Sequence, residues 1–333
     1  MPKRKQDCNI DYNNRLKKSN EEFQNVKDIT ISIMHAMGDS EFPLKHNENL
    51  VIDVLKNDII VMLEDICELK KKKNIKTRIS ISDLISAMKN QFGLLSRFVD
   101  FLNTKVEMSQ FTRVSRRGDH NCTENLFGQE IESDDEEKEE SINEIGEVDG
   151  EEGEYLEKKR KKLMTNDESL LEEVRNAFKK LNLDIEKYEN AKPVVKNDPR
   201  QTAMMKHIGS MSVEAYQAFT AAKRVSFQRA ASPKFSSTSN TSSTKKKSSA
   251  VQSLINWIGN PPLQGESAEI FLAFFAKEVI REVVGSALVE KYNEPEGLFK
   301  NDDCGIEDAL QVRHYEEAMR KNQNYRTLSR IFV

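Results

Sequence analysis

The sequence predicts an all-α protein in which two helical units are joined by long disordered linkers. Apolar residues recur at helical spacing in two separate parts of the 333-residue chain, and charged or Ser/Thr/Lys-rich stretches lie between them. The hydrophobic fraction is 37% and the charged fraction 32%, whereas globular domains average about 45–50% apolar and about 25% charged residues. The folded cores are therefore expected to be small, and much of the chain to be solvated.

The first unit is predicted to contain a short helix, a long helix and two further short helices. Gly38 and Asp39 end the first helix, and Ser80 with Asp83 has the spacing of a capping box at the start of the third. The long helix would extend about 40 Å, too far for so small a domain to cover its apolar stripe by itself. The predicted helices span residues 26–37, 47–73, 80–88 and 94–102.

The region between the two units also carries helical signals. Residues 167–190 are predicted to form one or two amphipathic helices, and residues 199–235 combine helical periodicity with aromatic side chains. Residues 236–249 are rich in Ser, Thr and Lys, a composition that predicts a flexible linker.

The second unit repeats the short–long–short order of helices. Ser267 is the expected N-cap of its long helix, and Val279 and Val283 are expected to face a partner. The predicted helices span residues 251–258, 267–292 and 312–322. The long helix is apolar almost all round, interrupted only by a strip of five residues, Lys277, Glu278, Arg281, Glu282 and Gly285.

Two flanking helices cannot cover a central helix of this kind, so each unit needs a partner surface. One solution is that the two units clasp each other head to tail. The other is a single larger helical bundle. The helix spacing supports both arrangements equally.

The net charge of −4 conceals a strong asymmetry. Residues 130–157 contain fifteen acidic residues and one lysine, a local charge of −14, so the rest of the chain carries +10. Such a segment cannot bury enough surface to fold alone and is interpreted as a solvating linker. A basic block follows it directly and is a nuclear-targeting candidate: Lys158, Lys159, Arg160, Lys161 and Lys162. Together with two basic blocks near the N-terminus it favours the nucleus.

Several classes of function are excluded by what the sequence lacks. No apolar run is long enough for a membrane span, the N-terminus has no secretory h-region, and the four cysteines form no metal or disulfide pattern. The five histidines are scattered, and none of the common nucleotide-binding or hydrolase motifs occurs. We therefore expect no enzyme, catalytic residue, cofactor, metal, membrane contact or small-molecule substrate, and a reducing compartment.

Three blocks of the sequence, in order, resemble one known family. The segment Met34–Leu55 resembles the start of the first histone fold in the suppressor-of-Ty "Spt-three" family, a subunit of the SAGA coactivator, through Met37-Gly38-Asp39 and Pro43-Leu44 in particular. Arg200-Gln201-Thr202 is similar to the family's bridge before the second fold, and Arg313–Arg320 to its last helix. Arg78 with Asp83 resembles the loop-arginine and helix-aspartate clamp of histone folds.

This resemblance implies two histone folds that pair within one chain, as a heterodimer does. It also implies a non-enzymatic subunit of the SAGA core that contacts other core subunits and TATA-binding protein (TBP), and regulates TBP delivery to promoters for RNA polymerase II transcription. Glu278 occupies the place of a family glutamate on the TBP-facing surface. The TBP-contact candidates are Phe274, Glu278, Arg281 and Glu282.

Other interpretations remain open at the level of the sequence. The charged strip around Glu278 is equally typical of a helix face that is simply exposed to solvent. Lys70–Lys73 with Lys76 and Arg78 would suit a histone-like pair that binds duplex DNA, or makes a weak DNA contact, although cations also favour a helix C-terminus. A TFIID-type histone-fold subunit and an acidic histone chaperone are further alternatives.

The predicted organisation has seven parts. Two are predicted histone folds, residues 23–104 and 250–325, and a helical region, 166–235, lies between them. The remaining parts are a basic disordered tail, an acidic linker that includes the basic block, the Ser/Thr/Lys linker and a C-terminal tail, at residues 1–22, 105–165, 236–249 and 326–333.

Overall fold

In the described residues of a computed structural model, the chain is mostly helical. The structure describes residues 7–75, 77–118, 166–190, 198–228, 250–294 and 309–321. Within these ranges it contains helices, turns and isolated bridges but no strand, which confirms the all-α prediction. The acidic segment, the basic block Lys158–Lys162 and the Ser/Thr/Lys linker lie outside the described residues.

Eleven helices are present in the described ranges. They are α1 Asp7–Ala36, α2 Lys45–Lys72, α3 Ile81–Ala87, α4 Phe92–Gly118, α5 Asn166–Lys180, α6 Ile185–Glu189, α7 Pro199–Gly209, α8 Val213–Lys223, α9 Ala250–Trp257, α10 Glu266–Asn293 and α11 Val312–Lys321.

Helix α1 begins far earlier than the periodicity predicted. It starts at Asp7, so the expectation of a disordered tail over residues 1–22 is wrong from Asp7 onward. Glu22 accepts a hydrogen bond from Asn256 of α9 at 2.6 Å, and Lys27 pairs with Glu48 of α2 at 2.8 Å. These two contacts join the middle of α1 to α9 and α2, and the helix continues N-terminal to them through a polar stretch whose own pattern does not predict a helix.

Helix α4 is also longer than predicted, extending past residue 104 to Gly118. Its second half lies along the start of α5, where Lys105 and Ser109 both contact the carboxylate of Asp167. Gln110 donates to Glu168 at 2.9 Å. The helix therefore continues into the stretch assigned to the acidic linker, because α5 supplies partners for its polar side chains.

Of the two N-caps predicted from the sequence, one is confirmed and one is wrong. Ser80 and Asp83 form the predicted capping box of α3, with each side chain accepting from the other residue's backbone N–H. Ser267 is not the N-cap of α10, because the helix starts at Glu266 and Ser267 is buried within its first turn. Gly265 is the N-cap residue, and its φ of 83° lies in the left-handed region that favours glycine.

Helix α10 is the centre of the core. It packs against α2 and against seven other helices of the described ranges, and most of its residues are buried. Val279 and Val283 are buried as expected. Helices α5 and α6 pack on α4, α7 packs on α10, and α8 packs on α1, so the middle region joins the same core.

The loop before each long helix, α2 or α10, contacts the loop after the other long helix. At one end, the backbone N–H of Leu310, before α11, donates to Asp39 in the loop before α2. At the other end, Ile79 after α2 exchanges backbone hydrogen bonds of 2.8 Å with Pro262 and Gln264, in the loop before α10. The two short–long–short units therefore lie head to tail.

Candidate protein-binding surface

The four TBP-contact candidates lie on the middle of α10, where α4 and α7 cross it. The sequence interpretation placed them on an exposed strip opposite the packed face. In the structure Glu278 is buried, and Arg281 and Glu282 are half-buried beside side chains from α4 and α7. The expectation of a fully exposed strip is therefore wrong. Each candidate has a distinct environment.

Phe274 is part of the aromatic core. Its ring lies 5.2 Å from that of Phe98 and 5.5 Å from that of Phe101, both on α4. Phe98 also contacts Phe271 edge-on at 4.8 Å. Because Phe274 is buried, it packs α4 onto α10 and does not present an aromatic ring to a partner.

Glu278 is buried beneath two arginines. Only 7% of the residue is exposed. Its Oε2 accepts from Arg97 Nε of α4 at 2.7 Å and from Arg281 Nη1 at 3.1 Å. Two guanidinium groups compensate the charge of the buried carboxylate, so both arginines are held in place by one side chain.

Glu282, one turn further along α10, binds Arg200 at the start of α7. Burial alone would lower the pKa of Arg200, but the adjacent carboxylate of Glu282 reverses this and raises it. Gly285 makes room for this arginine, because a Cβ there would lie 3.1 Å from Arg200 Cδ. Nearby, burial lowers the pKa of Lys277, an effect that Glu278 opposes.

The structure thus assembles a network of three arginines and two glutamates, Arg97, Arg200, Arg281, Glu278 and Glu282. We refer to it as the arginine network. The outward-facing atoms belong mainly to the arginines, whose side chains are 33–39% exposed, whereas that of Glu278 is 9% exposed. Sequence reasoning missed Arg97 and Arg200, because nothing local to either residue indicates that its partner is on α10.

The predicted clamp between Arg78 and Asp83 does not form. Asp83 pairs instead with Lys70 of α2, whose Nζ lies 2.6 Å from its carboxylate and 2.8 Å from the carbonyl oxygen of Arg78. Burial would raise the pKa of Asp83, but hydrogen bonds from Lys70 and Ser80 hold it below its usual value. The Arg78 side chain is exposed, because Lys70 reaches the carboxylate from beneath the loop.

A second polar cluster, not anticipated from the sequence, joins the two units. Both carboxylate oxygens of Asp39 are used, one by the N–H of Leu310 at 3.0 Å and one by the hydroxyl of Tyr315 at 2.7 Å. Asn47 of α2 donates to the carbonyl of Leu310 at 2.7 Å. The sequence signal for this cluster was that Asp39 and Tyr315 lie within two of the family-like blocks.

No family model, curated protein or solved structure matches the chain. Across the described ranges, no three His, Cys, Asp or Glu side chains are grouped so that they could hold a metal ion. None of the helices in that part of the chain is long and apolar enough to cross a membrane. The fold and the surface define a mostly helical protein whose candidate site is a network of ion pairs.

Proposed function

We propose that the chain contains two histone folds paired with each other, and that it is a TBP-binding subunit of a SAGA-type coactivator complex in the nucleus. The observation that carries this proposal is the reciprocal loop pairing. Two short–long–short units that lie head to tail, with each loop of one beside the opposite loop of the other, are what a histone-fold pair requires.

The positions of the family-like blocks support the same proposal. Asp39 belongs to the first block and Tyr315 to the last, and the two side chains share a buried hydrogen bond. Arg200 belongs to the middle block and binds Glu282 of α10. The first and last blocks therefore supply a contact that joins the two units, and the middle block supplies one that joins the middle region to the second unit.

The TBP contact is proposed to involve the arginine network as a whole. Glu278 is buried, so a partner would meet Arg97 and Arg281, which Glu278 orients. Glu282 would act in the same way through Arg200. Orientation by a shared buried carboxylate restricts the rotamers of these arginines, which lowers the entropy lost when a partner carboxylate or backbone carbonyl binds them.

TBP binding tests this proposal directly. We expect Arg281→Glu and Arg97→Gln to weaken TBP binding about tenfold or more, because each removes a positive charge from the contact. The matched control is Arg175→Glu on α5. Like Arg97, Arg175 has a 39% exposed side chain and forms one ion pair, with Glu189 at 3.0 Å.

Circular dichroism of each variant separates loss of binding from loss of fold. Equal TBP binding by Arg97→Gln, Arg281→Glu and the control would remove the network from the TBP contact. Affinity purification of the full chain addresses the assembly. SAGA subunits should co-purify, whereas TFIID subunits alone, core histones alone or free DNA would contradict the proposed complex.

A further inference from the structure

The C-terminal end of α2 exposes apolar and positively charged side chains side by side. Leu69 is 51% exposed and Ile75 is 44% exposed. Four exposed cations accompany them, Lys71, Lys72, Lys73 and Arg78. We refer to these six residues as the basic–apolar end of α2.

The way in which α2 ends brings the two apolar residues together. Asn74 takes a left-handed conformation with φ 59°, its N–H bonds to the carbonyl of Lys71, and the N–H of Ile75 bonds to the carbonyl of Lys70. In this termination motif the residue after the left-handed one packs near the residues one turn back, which here include Leu69. Lysines at a helix C-terminus are favoured by the helix dipole, but the dipole does not explain two exposed apolar side chains.

Helix α5 ends with the same motif and provides an internal comparison. Asn182 has φ 54°, and the N–H groups of Asn182 and Leu183 bond to the carbonyls of Lys179 and Phe178. At the positions equivalent to Leu69 and Ile75, Ala177 is buried and Leu183 is half-buried. The motif itself therefore does not require exposed apolar residues, and the basic–apolar end of α2 is an uncovered surface.

The cations of this surface also have no acidic partner in the described ranges. Lys70 is paired with Asp83, but no ion pair joins Lys71, Lys72, Lys73 or Arg78 to a carboxylate of a described residue. The surface therefore suits a ligand with many carboxylates and with apolar side chains between them.

We propose that the acidic segment of this same chain, residues 130–157, docks on the basic–apolar end of α2. The segment combines a local charge of −14 with apolar residues at intervals, Ile131, Ile142, Ile145, Val148, Tyr155 and Leu156. The segment can therefore bind both the cations and the apolar side chains of the surface. Duplex DNA would use the cations but would leave Leu69 and Ile75 without a role, so the observations favour the peptide.

The ends of the described chain make this docking geometrically feasible. Helix α4 ends at Gly118, twelve residues before the segment, and α5 begins at Asn166, nine residues after it. Twelve residues span up to about 40 Å when extended. Helix α5 packs on α3, which directly follows the basic–apolar end. Because the segment is tethered, its effective concentration at the surface is high even if each ion pair is weak.

Zero-length carbodiimide cross-linking of the full chain, read by mass spectrometry, tests this docking. We expect Lys71, Lys72 and Lys73 to form several-fold more cross-links to carboxylates of residues 130–157 than the exposed lysines Lys179 and Lys180 do. These controls lie at an equivalent helix end and are closer to the segment along the chain. High salt should abolish the difference, because exposed ion pairs are screened.

Equal cross-linking of the two lysine groups would overturn the proposal. In an equal mixture of heavy and light protein, the proposed contact within one chain predicts almost no cross-link between a heavy and a light peptide. Heavy–light cross-links at the share expected for random pairing of chains would also overturn the proposal. This comparison uses the native chain and does not depend on any variant folding. It is also independent of TBP, so its failure would leave the proposed function unaffected.

A double variant tests whether the segment binds through apolar contacts as well as through attraction between charges. Leu69→Ser with Ile75→Ser keeps every cation, and we expect it to reduce the cross-links from Lys71–Lys73 several-fold while the melting transition stays close to that of the native chain. Undiminished cross-linking in this variant would contradict the apolar part of the contact. Displacement of the segment by duplex DNA, to the same extent from the native chain and from the variant, would identify a phosphate-binding surface instead.

Discussion

Asp39 and Tyr315, 276 residues apart in sequence, share a fully buried hydrogen bond of 2.7 Å. Burial raises the pKa of the tyrosine hydroxyl well above its usual value, and the nearby carboxylate of Asp39 raises it further. The hydroxyl therefore remains a donor at any physiological pH. This bond closes one of the two ends at which the helical units meet.

Removing that donor should weaken the fold measurably. In Tyr315→Phe the ring still fills its site, but one oxygen of the buried Asp39 carboxylate loses its partner. A buried polar group without a partner costs about 1–3 kcal/mol. We expect a loss of this size in denaturant unfolding, and almost none in Tyr216→Phe, where the tyrosine is exposed. Equal stability of the two variants would show that the bond contributes little.

A side chain at Gly38 should destabilise the contact between the two units. Its φ is 104°, and a Cβ there would lie 2.7 Å from Leu288 Cδ2 of α10. Gly38→Ala therefore combines a strained backbone, worth about 1–2 kcal/mol, with a clash in the contact between the units. Gly209→Ala is the matched control, because no atom lies within 4 Å of the added Cβ. We expect Gly38→Ala to lower the melting temperature by several degrees and the control to leave it unchanged or raised.

Charge reversal at Glu278 should destabilise the fold. On the sequence interpretation of an exposed strip, Glu278→Lys would change stability by no more than about 0.5 kcal/mol. In the structure the new ammonium would lie beside Arg97 and Arg281 with its own charge buried, a change that typically costs about 3–5 kcal/mol. Glu173→Lys, at an exposed position of α5, is the control. Equally small losses for both variants would mean that Glu278 is exposed in solution.

His314 should make stability depend on pH near neutrality. Burial lowers its pKa below the usual value of 6.5, and Glu294 offsets only part of this shift. The unfolded chain then binds a proton at a higher pH than the folded chain, so stability is lost as the pH falls from 6.5 through the folded pKa. Unfolding of the native chain should therefore show a steeper loss on acidification than unfolding of His314→Asn.

The exposed histidine His46 provides the control for that experiment. His46→Asn should retain the native pH dependence. The raised pKa of Asp39, which results mainly from burial, acts in the opposite direction, and Asp39 is present in all three proteins. Identical slopes for the native chain and His314→Asn would contradict the assignment.

The elements with strong local signals were predictable from the sequence. The bounds of α2 and α11 agree with the prediction within two residues, because an apolar stripe and clear turn residues delimit them. The capping box of α3 was also predictable, since it depends on Ser80 and Asp83 alone. Burial of Val279 and Val283 followed from the nearly uniform apolarity of α10.

Features that depend on distant partners were not predictable. The first half of α1 and the second half of α4 carry little helical periodicity. The polar side chains of the second half of α4 find their partners on α5, far away in sequence. The strip on α10 looked exposed because its charged residues are typical of a solvent-facing surface, whereas Arg97 and Arg200 cover it. The predicted clamp between Arg78 and Asp83 was wrong for a similar reason, because Asp83 pairs with Lys70 of α2.

The central claim is that the two helical units of one chain pair with each other. Light scattering of the purified full chain across a dilution series into the low micromolar range tests it most directly. We predict a single species with the monomer mass of 38.3 kDa throughout, because the tether favours pairing within the chain over pairing between chains. A species of twice that mass that persists on dilution would contradict the claim.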